Sequence, residues 1–292
     1  MKEKNRILLC TDLDRTLLPN GNVPESELAR PAFRHIVERE EVVLVYVTGR
    51  DVALTEQAIT EYELPEPGFL VCDVGTGIYH RNGNRWMVFD TCERTINTDW
   101  HGQTASELAR KIPALPHLQL QDPSRIKKHK LSYHASPSDT ARNDLAVLEK
   151  HLSSLNIKYR CVYSIDETID DALVDVLPAS AGKLGAIDFL ARQTDVPAEQ
   201  VYFSGDSGND RDVLLSDYNT AVVANASAKF KHTILHEASE KNRTSQIYLA
   251  DGSLNSSLNG NYAAGIVEGF VHYFPFAASW VDWEKLHEHV HK

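Results

Sequence analysis

Short, almost wholly apolar runs of strand length recur along this chain, each closed by a polar turn and most followed by helical spacing. They are Ile7-Leu8-Leu9-Cys10, Val42–Val47, Phe69-Leu70-Val71-Cys72, Val201-Tyr202-Phe203 and Thr220–Ala224. A strand with one wet face alternates apolar and polar residues; continuous runs are buried on both faces, as in parallel sheets covered by helices. Helices are expected from about Ser26 or Pro31 to Glu40, from Asp51 to about Tyr62, over 183–193 and over 209–216. A closing amphipathic helix is expected from Tyr262 to about Tyr273. This order reads as βαβ units.

Between about 80 and 179 the texture changes. Strand candidates Arg85–Phe89, His117–Gln121, Lys130–His134 and Tyr159–Ser164 enclose two helical patterns, Thr104–Ile112 and Ser138–Leu155. The expected fold class is α/β, a Rossmann-like doubly wound parallel-sheet core with an inserted α+β cap domain. The core would comprise 1–79 and 180–292, and the cap 80–179. No internal repeat is visible.

The net charge of −11 argues against nucleic-acid and anionic-membrane surfaces, which reward dense Lys and Arg. Four scattered cysteines form no Cys-x-x-Cys motif, and Cys10 and Cys72 read as small core residues. The polar start Met1–Arg6 has no secretory-leader pattern, and no apolar run is long enough to span a bilayer. A cytoplasmic enzyme is the expectation.

The chemistry gathers at the ends of the strand-like runs. Asp12-Leu13-Asp14-Arg15-Thr16 follows the first, and Gly205-Asp206-Ser207-Gly208-Asn209-Asp210 follows Val201-Tyr202-Phe203. In open parallel sheets ligands bind at this carboxyl edge. Gathered carboxylates repel one another unless a cation neutralises them, and Mg²⁺ takes such oxygen ligands while adding substrate phosphate. Thr48-Gly49-Arg50 before a helix supplies a hydroxyl and main-chain N–H groups suited to a phosphate. Lys183 adds a point charge.

Asp12-x-Asp14-x-Thr16, Thr48, Lys183 and the Gly205–Asp210 turn stand in the order of the haloacid-dehalogenase-like phosphohydrolases, which this chain resembles. An insertion after the second motif matches the large α/β cap subclass. Within it the chain is similar to the sucrose-phosphate phosphatases and related disaccharide-phosphate phosphatases, through Asp73-Val74-Gly75-Thr76, Lys130–Tyr133, Asp175–Pro178 and Ala263–Gly269. The resemblance implies a Mg²⁺-dependent phosphatase acting on a sugar phosphate monoester, with sucrose 6′-phosphate first. Alternatives are another glycosyl phosphate (mannosylfructose phosphate, glucosylglycerol phosphate, a hexose phosphate), a phosphomutase, or an inactive partner of a glycosyltransferase.

It further implies Asp12 as nucleophile and Asp14 as general acid and base, with a pKa raised by its neighbours. Mg²⁺ would be held by Asp12, Asp14 (through its carbonyl), Asp206 and Asp210. Thr48, Gly49 and Lys183 would bind phosphate, with Asn209 and Arg50 in support. Lys130, Ser132, Tyr133 and Asp175 are the sugar-binding candidates, each read at least as well as a strand-packing residue or a polar group on the surface. Arg50 is equally a surface charge, Thr16 a turn residue and Asp212 a helix-face residue. Arg15 and Leu184 depart from the family pattern; Arg15 is expected to point outward. The acidic 166–171 stretch and the tail residues His287, His289 and His291 read as solvated.

Overall fold

The structure, a computed structural model, describes residues 6–290 apart from 84, 123–126, 136–138 and 167–170. Its centre is an eight-stranded sheet built from β1 (Ile7–Thr11), β2 (Val42–Val47), β3 (Phe69–Cys72), β4 (Gly77–Asn82), β5 (Arg85–Val88), β10 (Val201–Gly205), β11 (Asn219–Val222) and β12 (Ile247–Leu249). The order is β12-β11-β10-β1-β2-β3-β4-β5, parallel from β12 to β3 and antiparallel through the β4–β5 hairpin.

The continuous apolar runs are explained by what covers the two faces. Ile7, Leu9, Leu44 and Tyr46 enter one hydrophobic cluster with α1 (Ala29–Val37) and α9 (Ala263–Tyr273). Leu8, Cys10, Val45 and Val47 enter the other with α6 (Lys183–Thr194), α7 (Arg211–Leu214) and α8 (Ala228–Glu240). Successive side chains point to opposite faces, so neither parity can be polar.

The chain between these halves forms a second sheet, with β6 (Leu118–Leu120), β7 (Leu131–Ala135), β8 (Tyr159–Asp166) and β9 (Asp171–Pro178) in the antiparallel order β6-β7-β9-β8. With α3 (Asp90–Asp99), α4 (Ala105–Ala109) and α5 (Asp139–Ser154) it encloses its own core around Trp100, Leu108, Tyr133, Leu148 and Val174. Among the described residues no helix is long and apolar enough to cross a membrane.

Several elements differ from the sequence pattern. Arg85–Val88, expected in the inserted region, extends the large sheet by pairing with β4. The 209–216 helix is a short 3₁₀ turn at Gly208–Asp210 followed by the single turn of α7. Helix α9 is not amphipathic: every residue from Ala263 to Val271 is buried, because it packs between β11 and α1. Helix α3 escapes a periodicity reading because only Ile96 and Asp99 of its ten residues are buried. The acidic 166–171 stretch spans a β8–β9 hairpin, with its tip, 167–170, outside the described residues. His287 is not solvated: it sits on a last helix, α10 (Trp283–Val290), where its ring bonds the Ser257 hydroxyl at 2.9 Å. His291 lies outside the described residues.

Helix α9 approaches the sheet so closely that the Tyr202 hydroxyl donates to the Ile266 carbonyl at 2.9 Å. A Cβ on Gly269 would stand 2.4 Å from Ala221 Cβ and 2.5 Å from the Tyr202 hydroxyl. In an ordinary helix Gly→Ala gains about 1 kcal/mol. Here overpacking should dominate and cost on the order of 1–3 kcal/mol. Gly269→Ala is therefore expected to lower the midpoint of urea unfolding; a higher midpoint would show slack between helix and sheet.

Candidate active site

The central strands deliver the two acidic turns to one place. β1 and β10 are parallel neighbours with Thr11 opposite Ser204, so Asp12 and Asp206 leave the sheet side by side. The Asp12 N–H donates to the Ser204 carbonyl at 3.0 Å. Lys183, the first residue of α6, meets them from the adjoining layer. Its ammonium donates to Asp12 Oδ1 at 2.8 Å, Asp210 Oδ1 at 2.7 Å and Asn209 Oδ1 at 3.2 Å. Leu184, at the unusual position, does not disturb the helix and packs partly buried against the core.

Asp210 anchors its own loop, since its Oδ2 accepts from the Asp206 and Ser207 N–H groups at 3.0 and 3.2 Å. Asn209 accepts from Ser207 Oγ as well as from Lys183, so it holds the lysine rather than the carboxylates. Thr16 is more than a turn residue: its buried hydroxyl lies 3.5 Å from Asp12 Oδ2 and 3.4 Å from Asp206 Oδ1, spanning both turns.

Asp12, Asp206 and Asp210 each place a carboxylate oxygen within 4.8 Å of the others, all buried. Asp206 Oδ2 is buried and accepts no hydrogen bond among the described residues. Three buried carboxylates, one with an oxygen that accepts no hydrogen bond among the described residues, form an all-oxygen donor set that fits a hard divalent cation. Burial pushes the Asp206 carboxyl up to about 7, aided by Asp210 and opposed by Arg15 and Lys183. Burial likewise raises Asp12 well above the usual carboxylate range, against the pull of Lys183 and with the push of Asp210 and Asp206. Burial alone would lower Lys183, but Asp12 and Asp210 outweigh it and keep the ammonium charged.

Asp14 corrects the expectation of a raised pKa. Burial works to raise it, yet its partners prevail and hold it below the usual carboxylate range. Arg50 forks onto both its oxygens, Nε to Oδ2 at 2.9 Å and Nη2 to Oδ1 at 2.6 Å, and Asn20 donates to Oδ1 at 2.7 Å. Arg50 is thus part of the site and not a surface charge. Arg15 also turns inward, contrary to expectation: its backbone has φ 60°, and its Nε lies 3.5 Å from Asp206 Oδ2.

Above these groups opens a cleft of about 380 Å³, lined from the core by Asp12, Asp14, Gly49, Arg50, Asp73 and Asp206 and from the inserted region by Gln121, Lys127, Lys130 and Asp175. Thr48 is buried behind Gly49, its Oγ accepting from the Arg50 N–H at 3.1 Å, which leaves its proton free to donate. Lys130 Nζ donates to the Gly49 carbonyl at 3.2 Å and lies 3.9 Å from Asp175. Ser132 donates to Asp175 and fixes it.

Tyr133 is not brought to the cleft. It follows Ser132 on β7, points to the opposite face and packs beside Trp100 and Leu108. Residues that sequence reasoning passed over are Asn20, Lys127 and Arg160. Lys127 pairs with Asp51 at 2.6 Å, and Arg160 of β8 pairs with Asp212, so Asp212 ties the inserted region to the core. Asp51 carried one usable signal, since it caps α2 (Val52–Glu61) by accepting from the Leu54 N–H. The others are partners across long sequence separation, which no local pattern marks.

Comparison with known proteins gives this arrangement a family. The profile of the sucrose-6F-phosphate phosphohydrolase family matches residues 5–274. A protein of Nitrosococcus oceani named as a HAD-like hydrolase is 39% identical over 279 residues, covering 96% of this chain and 75% of that one. Sucrose-phosphatase 2 of Nicotiana tabacum is 26% identical over 274 residues, covering 91% of this chain and 59% of the tobacco protein. Among solved structures, the sucrose-phosphatase of Synechocystis sp. in complex with sucrose and phosphate superposes with a TM-score of 0.71. At 23% identity it covers 92% of this chain and 98% of that one, and so shares its fold.

The charge arrangement has a consequence for stability. Without a cation the folded protein keeps protons at Asp12 and Asp206 that the unfolded chain releases near the ordinary carboxylate pKa. Asp206 therefore opposes folding less as pH falls from about 7 toward the ordinary carboxylate range and more as pH rises, and Asp12, whose pKa is also raised, acts in the same direction. A divalent cation competes with those protons. The rise in Tm on adding Mg²⁺ is expected to be larger at about pH 8 than at about pH 5.5, and Asp206→Asn should remove most of it. A rise independent of pH, read by scanning calorimetry, would place the ion elsewhere.

Proposed function

This chain belongs to the sucrose-6F-phosphate phosphohydrolase family, a group of sugar-phosphate phosphatases with the haloacid-dehalogenase-like fold, and we propose that it is a Mg²⁺-dependent phosphatase releasing sucrose from sucrose 6′-phosphate. The observation that carries this reading is the buried Asp12–Lys183–Asp210 cluster, set with Asp206 beneath a polar cleft at the carboxyl edge of the sheet.

Asp12 is the proposed nucleophile, forming a bond to phosphorus as the ester oxygen departs. Lys183 pulls the Asp12 carboxyl toward its ionised form against the burial that favours its proton, and a divalent cation bound beside it would complete that ionisation. The Thr48 hydroxyl, the Gly49 N–H and Lys183 would bind the phosphoryl oxygens and stabilise charge as it develops. Mg²⁺, when bound by the Asp12, Asp206 and Asp210 carboxylates and the Asp14 carbonyl, would neutralise phosphoryl charge.

Asp14 would protonate the departing sugar oxygen and then take a proton from the water that hydrolyses the aspartyl-phosphate. Gripped by Arg50 it is ionised, which is the form the second step uses. A phosphate in the cleft offers Arg50 a competing bidentate partner, and release of the grip raises Asp14 toward the protonated form that the first step uses. Lys127 and Lys130, each held to the rim of the phosphate loop, position the cap over the leaving group.

Phosphate release measured with Mg²⁺ across sucrose 6′-phosphate, mannosylfructose phosphate, glucosylglycerol phosphate, trehalose phosphate and simple hexose phosphates tests this reading. The highest kcat/KM is expected for sucrose 6′-phosphate; preference for another ester would refute the substrate and keep the chemistry. Asp12→Asn should abolish turnover with the fold intact by circular dichroism, and appreciable residual turnover would remove Asp12 from its role.

A further inference from the structure

One charged group in the cleft has no part in the chemistry above. Asp73 follows β3, is only 9% exposed, and lines the cleft wall. Its carboxylate accepts no hydrogen bond among the described residues; Lys130 and Lys127 act on it through charge alone. Both lysines have closer partners, Lys127 on Asp51 and Lys130 on the Gly49 carbonyl. The carboxylate faces the cleft with no protein donor of its own among the described residues, so its acceptor positions are open to a ligand's donors.

The backbone there is strained and held. Asp73 has φ 51° and Val74 φ 58°, and a β-branched residue in the left-handed region is a genuine outlier. Such strain persists only where the surroundings over-determine it, and it clusters at ligand sites. Here the Asp73 N–H donates to the Arg50 carbonyl at 2.9 Å and the Val74 N–H to the Thr48 carbonyl at 3.0 Å. Gly75, with φ 91°, presses on the start of α6: a Cβ would stand 2.3 Å from the Gly182 carbonyl. The Asp73 turn is therefore bolted to the Thr48–Arg50 loop and to the base of Lys183, at a fixed offset from where a phosphoryl group would sit.

The charges around it select among ligands. Asp51, Asp73 and Asp175 alternate with Lys127 and Lys130 along the wall. A cationic leaving group meets the lysines and an anionic one the carboxylates, whereas a neutral polyhydroxylated group finds both donors and acceptors. We propose that Asp73 is a specificity-determining residue, its carboxylate accepting hydroxyl protons from the sugar leaving group on the core side of the cleft. The inference rests on the sugar-phosphatase reading and adds the residue that makes the site demand hydroxyls.

The test compares Asp73→Asn and Asp73→Gly with the parent, since Asn and Gly both tolerate positive φ and keep the turn. Each protein is assayed with Mg²⁺ on sucrose 6′-phosphate and on p-nitrophenyl phosphate, which has no leaving-group hydroxyl beyond the ester oxygen. Inhibition by free sucrose and by inorganic phosphate is measured alongside. For Asp73→Gly, kcat/KM on the sugar ester should fall about 10- to 100-fold, mostly through KM, and at least about tenfold more than on the aryl ester. Inhibition by sucrose should weaken with it, more than inhibition by phosphate. Equal losses on both esters would make Asp73 a structural part of the turn, and an unchanged sugar ester would show no contact; either overturns the inference. A parent without preference for the sugar ester would instead overturn the functional reading on which it rests.

Discussion

The site depends on one buried cation. The Lys183 ammonium reaches Asp12 on the turn after β1, at the floor of the cleft, and Asp210 on the turn after β10, fully buried behind it. Bringing Asp12, Asp206 and Asp210 together would otherwise concentrate negative charge in a low dielectric, where repulsion and lost hydration both oppose folding. Lys183 offsets part of that cost and leaves an oxygen donor set suited to a divalent ion. Its position in turn requires helix α6 to begin where the chain returns from the inserted region, so the return geometry and the charge balance of the core are a single constraint.

From this centre the cleft is built outward in alternating charge. Arg50 grips Asp14, Lys127 grips Asp51, and Lys130 reaches the Gly49 carbonyl while facing Asp175. Each pair joins a loop of the large sheet to itself or to the smaller sheet. On the opposite side Arg160 joins β8 to Asp212, two residues past Asp210. Exposed pairs of this kind add little stability singly. Their effect is geometric, since they fix the distance between the phosphate loop and the wall that meets the leaving group.

Local chemistry and long-range pairing divide what could be read from the chain. The runs at Ile7, Val42, Phe69 and Val201 announced a sheet buried on both faces, because each parity of side chain had to be apolar. The acidic turns, Thr48 and Lys183 were legible because strand and helix ends are where such residue types are repeatedly useful. Helix α3 and the interior placement of α9 were not, since one is too polar and the other too uniformly apolar for a periodic signal.

Strand burial and turn chemistry are local properties, so the layered α/β architecture and the identity of the central acidic and basic groups could be read from the chain alone. How those groups are charged and which way they face came from contacts made across the fold. Arg50 turns Asp14 into a low-pKa carboxylate, Arg15 turns inward toward Asp206, and Tyr133 turns into a hydrophobic core while its neighbour Ser132 holds Asp175. Those outcomes follow from partners tens to hundreds of residues away and from the parity of one strand, and electrostatics depends on distances that no local pattern contains.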